Sequence, residues 1–231
     1  MTSTGHRKSI EAVVKRRVWD VPTRLFHWTL VVLVALAWWS AEYHEDDLHL
    51  YFGYGILSLL IFRIGWGIFG SSTARFSSFV PHPASVHRYV RDRFHWPTAG
   101  HAPLGALSVV ALLVMLFVMV GTGLFALDED GLFGGPLAYL VSIPASDLAR
   151  ELHEQLFNLL LALIALHVAA ILLYRLVLGR NLLGPMITGK AKLAPDVQPM
   201  RPGKWWVALL ALAAGIAITR WIIAGAPPFG S

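Results

Sequence analysis

The segment Leu152–Leu178 reads LHEQLFNLLLALIALHVAAILLYRLVL and decides the fold of the chain. It is mostly apolar and long enough to cross a bilayer as one helix. It contains His153 and His167, which are separated by almost four helical turns, so both imidazoles leave the same face about 21 Å apart along the axis. Polar side chains are costly inside a membrane, and a neutral imidazole is a strong ligand for haem iron. From this pair alone, two haem sites and simple hydrogen bonds to neighbouring helices remain equally open.

The composition indicates a membrane protein with several spans. Apolar residues make up 56% of the 231 positions and charged residues only 14%, far from the balance of a soluble domain. The chain has no cysteine, which excludes disulfides, cysteine-ligated iron–sulfur clusters and thioether-bound haem. Any haem is therefore expected to be b-type. The net charge of +5 does not indicate nucleic-acid binding, because the positive charges fall in particular loops.

Hydropathy predicts five membrane-spanning helices, and therefore an all-α integral membrane protein. The predicted spans are Leu25–Ala41, His49–Phe69, Leu104–Leu127, Leu152–Leu178 and Trp205–Ala224. We expect three parts: a basic tail (1–20), a four-helix haem-binding bundle (21–188), and a linker with a fifth transmembrane helix (189–231).

Loop charges predict the orientation of the spans. The N-terminal tail and the loops Gly70–Pro103 and Gly179–Lys204 are basic, whereas the loops after the first and third spans are acidic. Basic loops stay on the cytoplasmic side, so the N-terminus is expected to be cytoplasmic and the C-terminus outside. The outer loop Asp128–Arg150 is expected to cover the outer end with its apolar run Pro136–Pro144.

This topology sorts four histidines into two pairs by depth. His49 and His153 both lie near the outer ends of their helices, and His27 and His167 both lie about 21 Å further in. A random scatter of histidines would rarely pair in this way. We therefore predict two non-covalent b haems, each with two histidine ligands: an outer haem between His49 and His153 and an inner haem between His27 and His167.

Three further polar residues are candidates at the inner level. Arg63 lies on the same face of its helix as His49, and Arg24 lies one turn before His27. Both are predicted to bind haem propionates, because a buried arginine needs an anion; the alternative for Arg63 is that its side chain reaches the cytoplasmic surface. His101 is interpreted as a helix cap or a propionate contact and not as an axial ligand.

Several strings resemble one protein family. They are VWDVPTRLFHW (18–28), HLYFGYGILSLLIFRIGWGIFG (49–70), ARFSSF (74–79), GHAPLGAL (100–107) and HEQLFN (153–158). In order and spacing they are similar to the bacterial di-haem cytochrome b561 family, including the B-type cytochrome subunit of Ni,Fe-hydrogenases. The resemblance implies four helices with two b haems, and the family's ligand positions fall on His27, His49, His153 and His167. The fifth helix and a short connection between the first two helices depart from the family pattern.

The resemblance also implies a multi-pass location in the bacterial inner (plasma) membrane, and a function. Members of this family exchange electrons between membrane quinone and a redox partner, here expected to be a periplasmic cytochrome c or a dehydrogenase or hydrogenase subunit. The alternative is a stand-alone superoxide:quinone oxidoreductase. A proton-coupled transporter that uses the histidines as a relay is disfavoured, because the sequence contains no inverted repeat and no pair of broken helices.

Overall fold

The computed structural model describes residues 13–92 and 99–227. Its long helices are α1 (Val21–Glu42), α2 (Asp46–Phe69), α5 (Pro103–Phe125), α6 (Ile143–Leu176) and α8 (Trp205–Ile223). Its short elements are β1 (Val14–Arg17), α3 (Phe76–Phe79), α4 (Pro83–Arg91), a 3-10 helix (Ala138–Leu140), α7 (Leu183–Thr188) and β2 (Lys190–Leu193). The five long helices are long and apolar enough to cross a membrane, which confirms the predicted five spans of a multi-pass membrane protein.

Local signals at the helix ends explain where the observed boundaries differ from the predicted ones. α1 begins at Val21, because the Asp20 carboxylate accepts a hydrogen bond from the Thr23 backbone N–H at 2.6 Å. α6 begins at Ile143, nine residues before the predicted start, with Pro144 in its first turn. The prediction that residues up to Arg150 form an outer loop was therefore wrong. Hydropathy missed this first part of α6 because it is polar and projects beyond the apolar span.

α2 lies at the centre of the bundle. It packs against α1 on one side and α8 on another, and α5 packs mainly against α6. The side chains of Leu60 and Trp66 on α2 are almost completely buried, and they form the core together with Phe26 of α1, Leu116 of α5 and Leu160 of α6. Most large apolar side chains on the other helix faces are exposed, as expected for surfaces that contact lipid.

The fifth span docks on α2 through small residues. Gly215 of α8 lies so close to α2 that an added Cβ would stand 2.4 Å from the Ser58 carbonyl oxygen, and Ser58 Oγ donates a hydrogen bond to Thr219 Oγ1 at 2.9 Å. Small residues of this kind allow close approach of two membrane helices. Ser58 follows His49 by nine residues, which is half a turn around α2, so α8 covers the face opposite to His49.

A two-stranded sheet lies outside the membrane spans and departs from the all-α prediction. β1 and β2 pair antiparallel, with Arg17 opposite Lys190 and Lys15 opposite Lys192. The predicted basic tail and the predicted linker are therefore joined. β1 (VKRR) has no alternating apolar pattern, and the alternation in β2 (KAKL) covers only four residues, too few to identify a strand in the sequence.

Candidate functional site

The outer pair of predicted ligands comes together between α2 and α6. The ring centroids of His49 and His153 lie 6.0 Å apart, and the rings are nearly perpendicular, with an interplanar angle of 85°. Two imidazoles that ligate one metal ion at about 2 Å each would have their ring centroids about 6 Å apart. The spacing therefore fits an iron atom held between these two histidines. We refer to this end of the bundle as the outer end.

Backbone carbonyl groups orient both outer imidazoles. His49 Nδ1 lies 2.9 Å from the Ala37 carbonyl oxygen, and His153 Nδ1 lies 2.8 Å from the Met119 carbonyl oxygen. A carbonyl oxygen only accepts, so Nδ1 of each ring must donate, and the lone pair is left on Nε2. Histidine ligands of metals are commonly held in this way through their second nitrogen. Both rings are therefore in the tautomer that ligation through Nε2 requires.

A glycine of α5 makes room for His153. A Cβ built at Gly123 would lie 3.0 Å from His153 Cε1 and 3.1 Å from its Nδ1, whereas a Cβ at Gly121, two residues earlier, would meet nothing within 4 Å. On α2, the position of Gly53, one turn below His49, is likewise open. The close approach at Gly123 makes this residue part of the outer site.

The inner pair occupies the opposite end of the bundle, here called the inner end. His27 and His167 are close enough to interact electrostatically, and His167 Nδ1 lies 3.1 Å from Ser108 Oγ of α5. His27 Nδ1 is buried and has no hydrogen-bond partner among the described residues. α5 thus supports one histidine of each pair, with Ser108 at the inner end and the Met119 carbonyl at the outer end.

Arg63 is a buried cation beside His101 at the inner end. Its side chain is only 3% exposed, and its guanidinium carbon lies 4.7 Å from the ring centroid of Phe76 and 5.7 Å from that of Phe79. Its Nη1 has no hydrogen-bond partner within residues 13–92 and 99–227. The Asp20 carboxylate interacts favourably with its charge, but a buried donor without an acceptor is still costly. This orphaned donor fits a haem propionate.

His101 lies in the same cluster and does not cap α5. Its ring packs between Trp19 at 4.5 Å and Phe79 at 4.7 Å, measured between ring centroids. The N-cap of α5 is Ala102, without a side-chain hydrogen bond, so the cap interpretation of His101 was wrong. Burial, followed by the neighbouring Arg63 cation, lowers the pKa of His101 to about 3, which keeps the ring neutral. Its Nδ1 lacks a partner in the described part of the chain, so contact with a propionate stays a prediction.

Arg24 lies apart from this cluster. Its Nη1 donates to the Ile187 carbonyl oxygen of α7, and its Nε is buried without a partner among the described residues. The guanidinium group also lies against Gly189, at the turn into β2. The structure therefore brings Arg63 beside His101, whereas the side chain of Arg24 turns to α7. The propionate contact of Arg24 stays a prediction.

The loop between α5 and α6 closes over the outer end. Leu137 is buried, and its backbone N–H donates to the Leu124 carbonyl oxygen at 2.9 Å. Ser146 Oγ donates to the Phe125 carbonyl oxygen at 2.7 Å, which fixes the start of α6 against the end of α5. The Tyr139 hydroxyl donates to a carbonyl oxygen at the end of α8. Together these contacts anchor the loop to α5 and α8.

Sequence reasoning missed the contribution of α5. Ser108 and Gly123 are separated by fifteen residues, so they lie on one face of α5 at nearly the spacing of His153 and His167 on α6. This spacing was the signal in the sequence, but other small residues on α5, such as Gly105 and Gly121, obscured it. The backbone carbonyl groups that hold His49 and His153 left no such signal, because every residue carries one.

Comparison with protein-family models identifies the family of the chain. The family model described as prokaryotic cytochrome b561 matches residues 18–189, about three quarters of the chain, and includes all four histidines and Arg63. No match was found among curated proteins or among solved structures. α8 lies beyond the matched residues. The chain therefore belongs to the prokaryotic cytochrome b561 family, whose members bind b-type haem in the membrane and transfer electrons across it.

Proposed function

We propose that this cytochrome carries electrons through two b haems, one held by His49 and His153 and the other by His27 and His167. The observation that carries the proposal is the outer pair. Its two rings stand at the separation that a shared iron requires, and both donate Nδ1–H to backbone carbonyl groups. At the inner end, buried polar atoms of His27, Arg63 and His101 have no hydrogen-bond partner among the described residues, and this supports the second haem site.

The separation of the two sites suits transfer across a membrane. His153 and His167 lie on one continuous helix, about 21 Å apart along its axis, against a hydrocarbon thickness of about 30 Å. The bound haems supply one-electron chemistry, and the chain provides the ligands, the dry surroundings and the charged contact at Arg63. Charge that moves between the sites responds to the membrane potential, by about 2.3 kcal/mol per 100 mV for a full crossing.

We further propose that the donor or acceptor at one haem is membrane quinone and that the other haem serves a protein partner. Exposed carboxylates at the outer end favour a partner with a basic surface. The side chains of Glu129 and Glu154 are 82% and 64% exposed, and they share a single cation, Arg150, in their two ion pairs. The partner that we propose is a periplasmic cytochrome c, or a dehydrogenase or hydrogenase subunit, that presents such a basic surface. The same negative field repels superoxide and so disfavours a superoxide:quinone oxidoreductase.

The orientation that we propose follows from the loop charges, with the inner end cytoplasmic in a bacterial inner membrane. The cations of β1, β2 and α4 lie at the inner end of the bundle, whereas the acidic first turn of α2 lies at the outer end. A reporter that is active only in the periplasm, fused after Ser231, is expected to be active. Activity of the same reporter fused within residues 191–198 would reverse the orientation.

Electron transfer across a sealed membrane tests the proposed function. The protein is reconstituted in vesicles that contain a trapped, impermeant one-electron acceptor, and a quinol is added from outside. We expect each quinol to reduce two acceptors, with release of two protons. Replacement of His153 or His167 by Ala is expected to stop transfer, because each removes one of two haems in series.

The control is His44→Ala, which removes an exposed histidine at a turn outside both pairs and should transfer electrons at the wild-type rate. Unimpaired transfer in the His153 and His167 variants would refute the series arrangement. Rapid consumption of superoxide by the wild-type protein, with quinone as acceptor and no protein partner, would favour the oxidoreductase instead.

A further inference from the structure

A basic cavity of about 300 Å³ lies between the sheet and the beginnings of α1 and α8. Three cations line it: Arg17 from β1, Arg24 from α1 and Lys190 from β2. Asp20 is the carboxylate among its lining residues, and it already accepts from the Thr23 backbone N–H and from hydroxyl and indole groups. The cavity therefore has more cations than its one engaged carboxylate can balance.

Like charges stand opposite each other across the sheet beside this cavity. Arg17 is paired in register with Lys190, and Lys15 is paired with Lys192. Side chains directly opposite in an antiparallel pair lie on the same face, and residues two apart on a strand share that face, so all four cations project together. Like charges at this spacing destabilise a sheet unless an anion lies between them. We call this surface the cationic face.

Some hydrogen-bond donors at the cavity have no acceptor among the described residues. Arg24 donates Nη1 to the Ile187 carbonyl oxygen, but its Nε is buried and unfilled among the described residues. Within residues 13–92 and 99–227, no carboxylate comes within ion-pair distance of Arg17 or Lys190. A phosphate group, with several acceptor oxygens and a negative charge, has the chemistry that these donors require.

An apolar groove continues from the basic cavity along α1. This second cavity, of about 170 Å³, shares Val21 and Arg24 with the first and is otherwise lined by Leu25, Trp28, Met186 and a neighbouring isoleucine. Trp28 donates its indole N–H to the Met186 carbonyl oxygen at 3.3 Å and keeps the rest of the ring towards the groove. A charged cavity that opens into an apolar groove, at the end of a membrane helix, matches the two parts of a lipid molecule.

We propose that the basic cavity and the cationic face bind the phosphate group of an anionic phospholipid, with an acyl chain in the groove beside Leu25 and Trp28. The lipid would bridge β1, β2 and α1 and so join the segments before α1 and before α8. This site lies apart from the four histidines, and here Arg24 serves the lipid phosphate in place of the haem propionate predicted for it from the sequence; the proposal does not depend on haem ligation.

The test is lipid binding to the purified, lipid-depleted full chain. Dioleoylphosphatidylglycerol and dioleoylphosphatidylcholine are titrated separately in mixed micelles, and bound lipid is counted by native mass spectrometry. We expect saturable binding of phosphatidylglycerol and much weaker binding of phosphatidylcholine. One basic side chain near anionic lipid contributes roughly fivefold in affinity, so Arg17→Gln with Lys190→Gln should weaken phosphatidylglycerol binding about thirtyfold.

Matched variants separate this site from general charge. Arg75→Gln with Arg88→Gln removes two exposed cations elsewhere on the chain and should leave affinity within about twofold, and so should the charge-preserving exchange Arg17→Lys with Lys190→Arg. The single variant Lys190→Gln, with an expected fivefold loss, serves if the double variant is unstable. Equal losses in the site variant and the Arg75 and Arg88 control would overturn the proposal. Equal binding of the two lipids would do the same, and full competition by glycerol phosphate would point to a soluble anion instead.

Discussion

Replacing Gly123 by alanine should perturb the outer haem site through a single methyl group. The new Cβ would stand 3.0 Å from His153 Cε1, whereas carbon atoms pack best at about 3.5–4.0 Å, so the ring must move by roughly 0.5 Å. Metal–ligand distances tolerate only about 0.2 Å of change. Crowding of this kind costs about 1–3 kcal/mol, which corresponds to a loss of roughly 5- to 150-fold in affinity for the outer haem.

Gly121→Ala is the matched control for this prediction. It lies on the same helix, and its Cβ would meet nothing within 4 Å. Both substitutions gain about 1 kcal/mol in helix propensity, so that the difference between them isolates the contact with His153. Haem content per chain and a redox titration measure the outcome: the Gly123 variant should lose the outer haem or shift its potential, while the control keeps both. If the two variants behaved alike, His153 would not be a ligand in the observed position.

Two further substitutions test other parts of the structure. Arg63→Gln removes a buried positive charge from the inner end. The potential of the inner haem should fall by tens of millivolts, because the cation favours the reduced form. Arg91→Gln removes an exposed cation and should change neither haem potential. An unchanged inner potential in the Arg63 variant would contradict the propionate contact. Gly215→Ala places a Cβ against the Ser58 carbonyl oxygen. Thermal unfolding should show a loss of about 1–3 kcal/mol in stability, while both haems remain bound. Gly105→Ala, at a position with open space, should be neutral or stabilising. Loss of haem with Gly215→Ala would assign α8 a direct part in the haem sites.

The parts of the site that depend on helical geometry could be predicted from the sequence. The fourteen-residue spacing of His153 and His167 set two depths, and the loop charges assigned His49 to one depth and His27 to the other. The structure brings His49 and His153 together at 6.0 Å, which is the contact that this reasoning requires. Helical periodicity and membrane topology were sufficient because both restrict where a side chain on a long helix can lie.

Contacts that depend on backbone groups or on distant pairing were not accessible to the same reasoning. Arg24 lies one turn before His27, yet its side chain turns to the Ile187 carbonyl oxygen, because α7 folds back against α1. Four-residue strands such as β1 have no periodicity to detect, and they form only because β2 reaches them from far along the chain. These contacts are set by tertiary packing, which no local pattern reports.

The pairing of the histidines is the central claim, and redox titration of single alanine variants tests it most directly. His49→Ala and His153→Ala should lose the same haem and leave the other with its wild-type potential, whereas His27→Ala and His167→Ala should lose the other one. The two variants of a pair should lose the same haem because both histidines bind the same iron, and removal of either one leaves that iron held from one side only. If His49→Ala and His167→Ala lost the same haem, the pairing of α2 with α6 at the outer end would be contradicted.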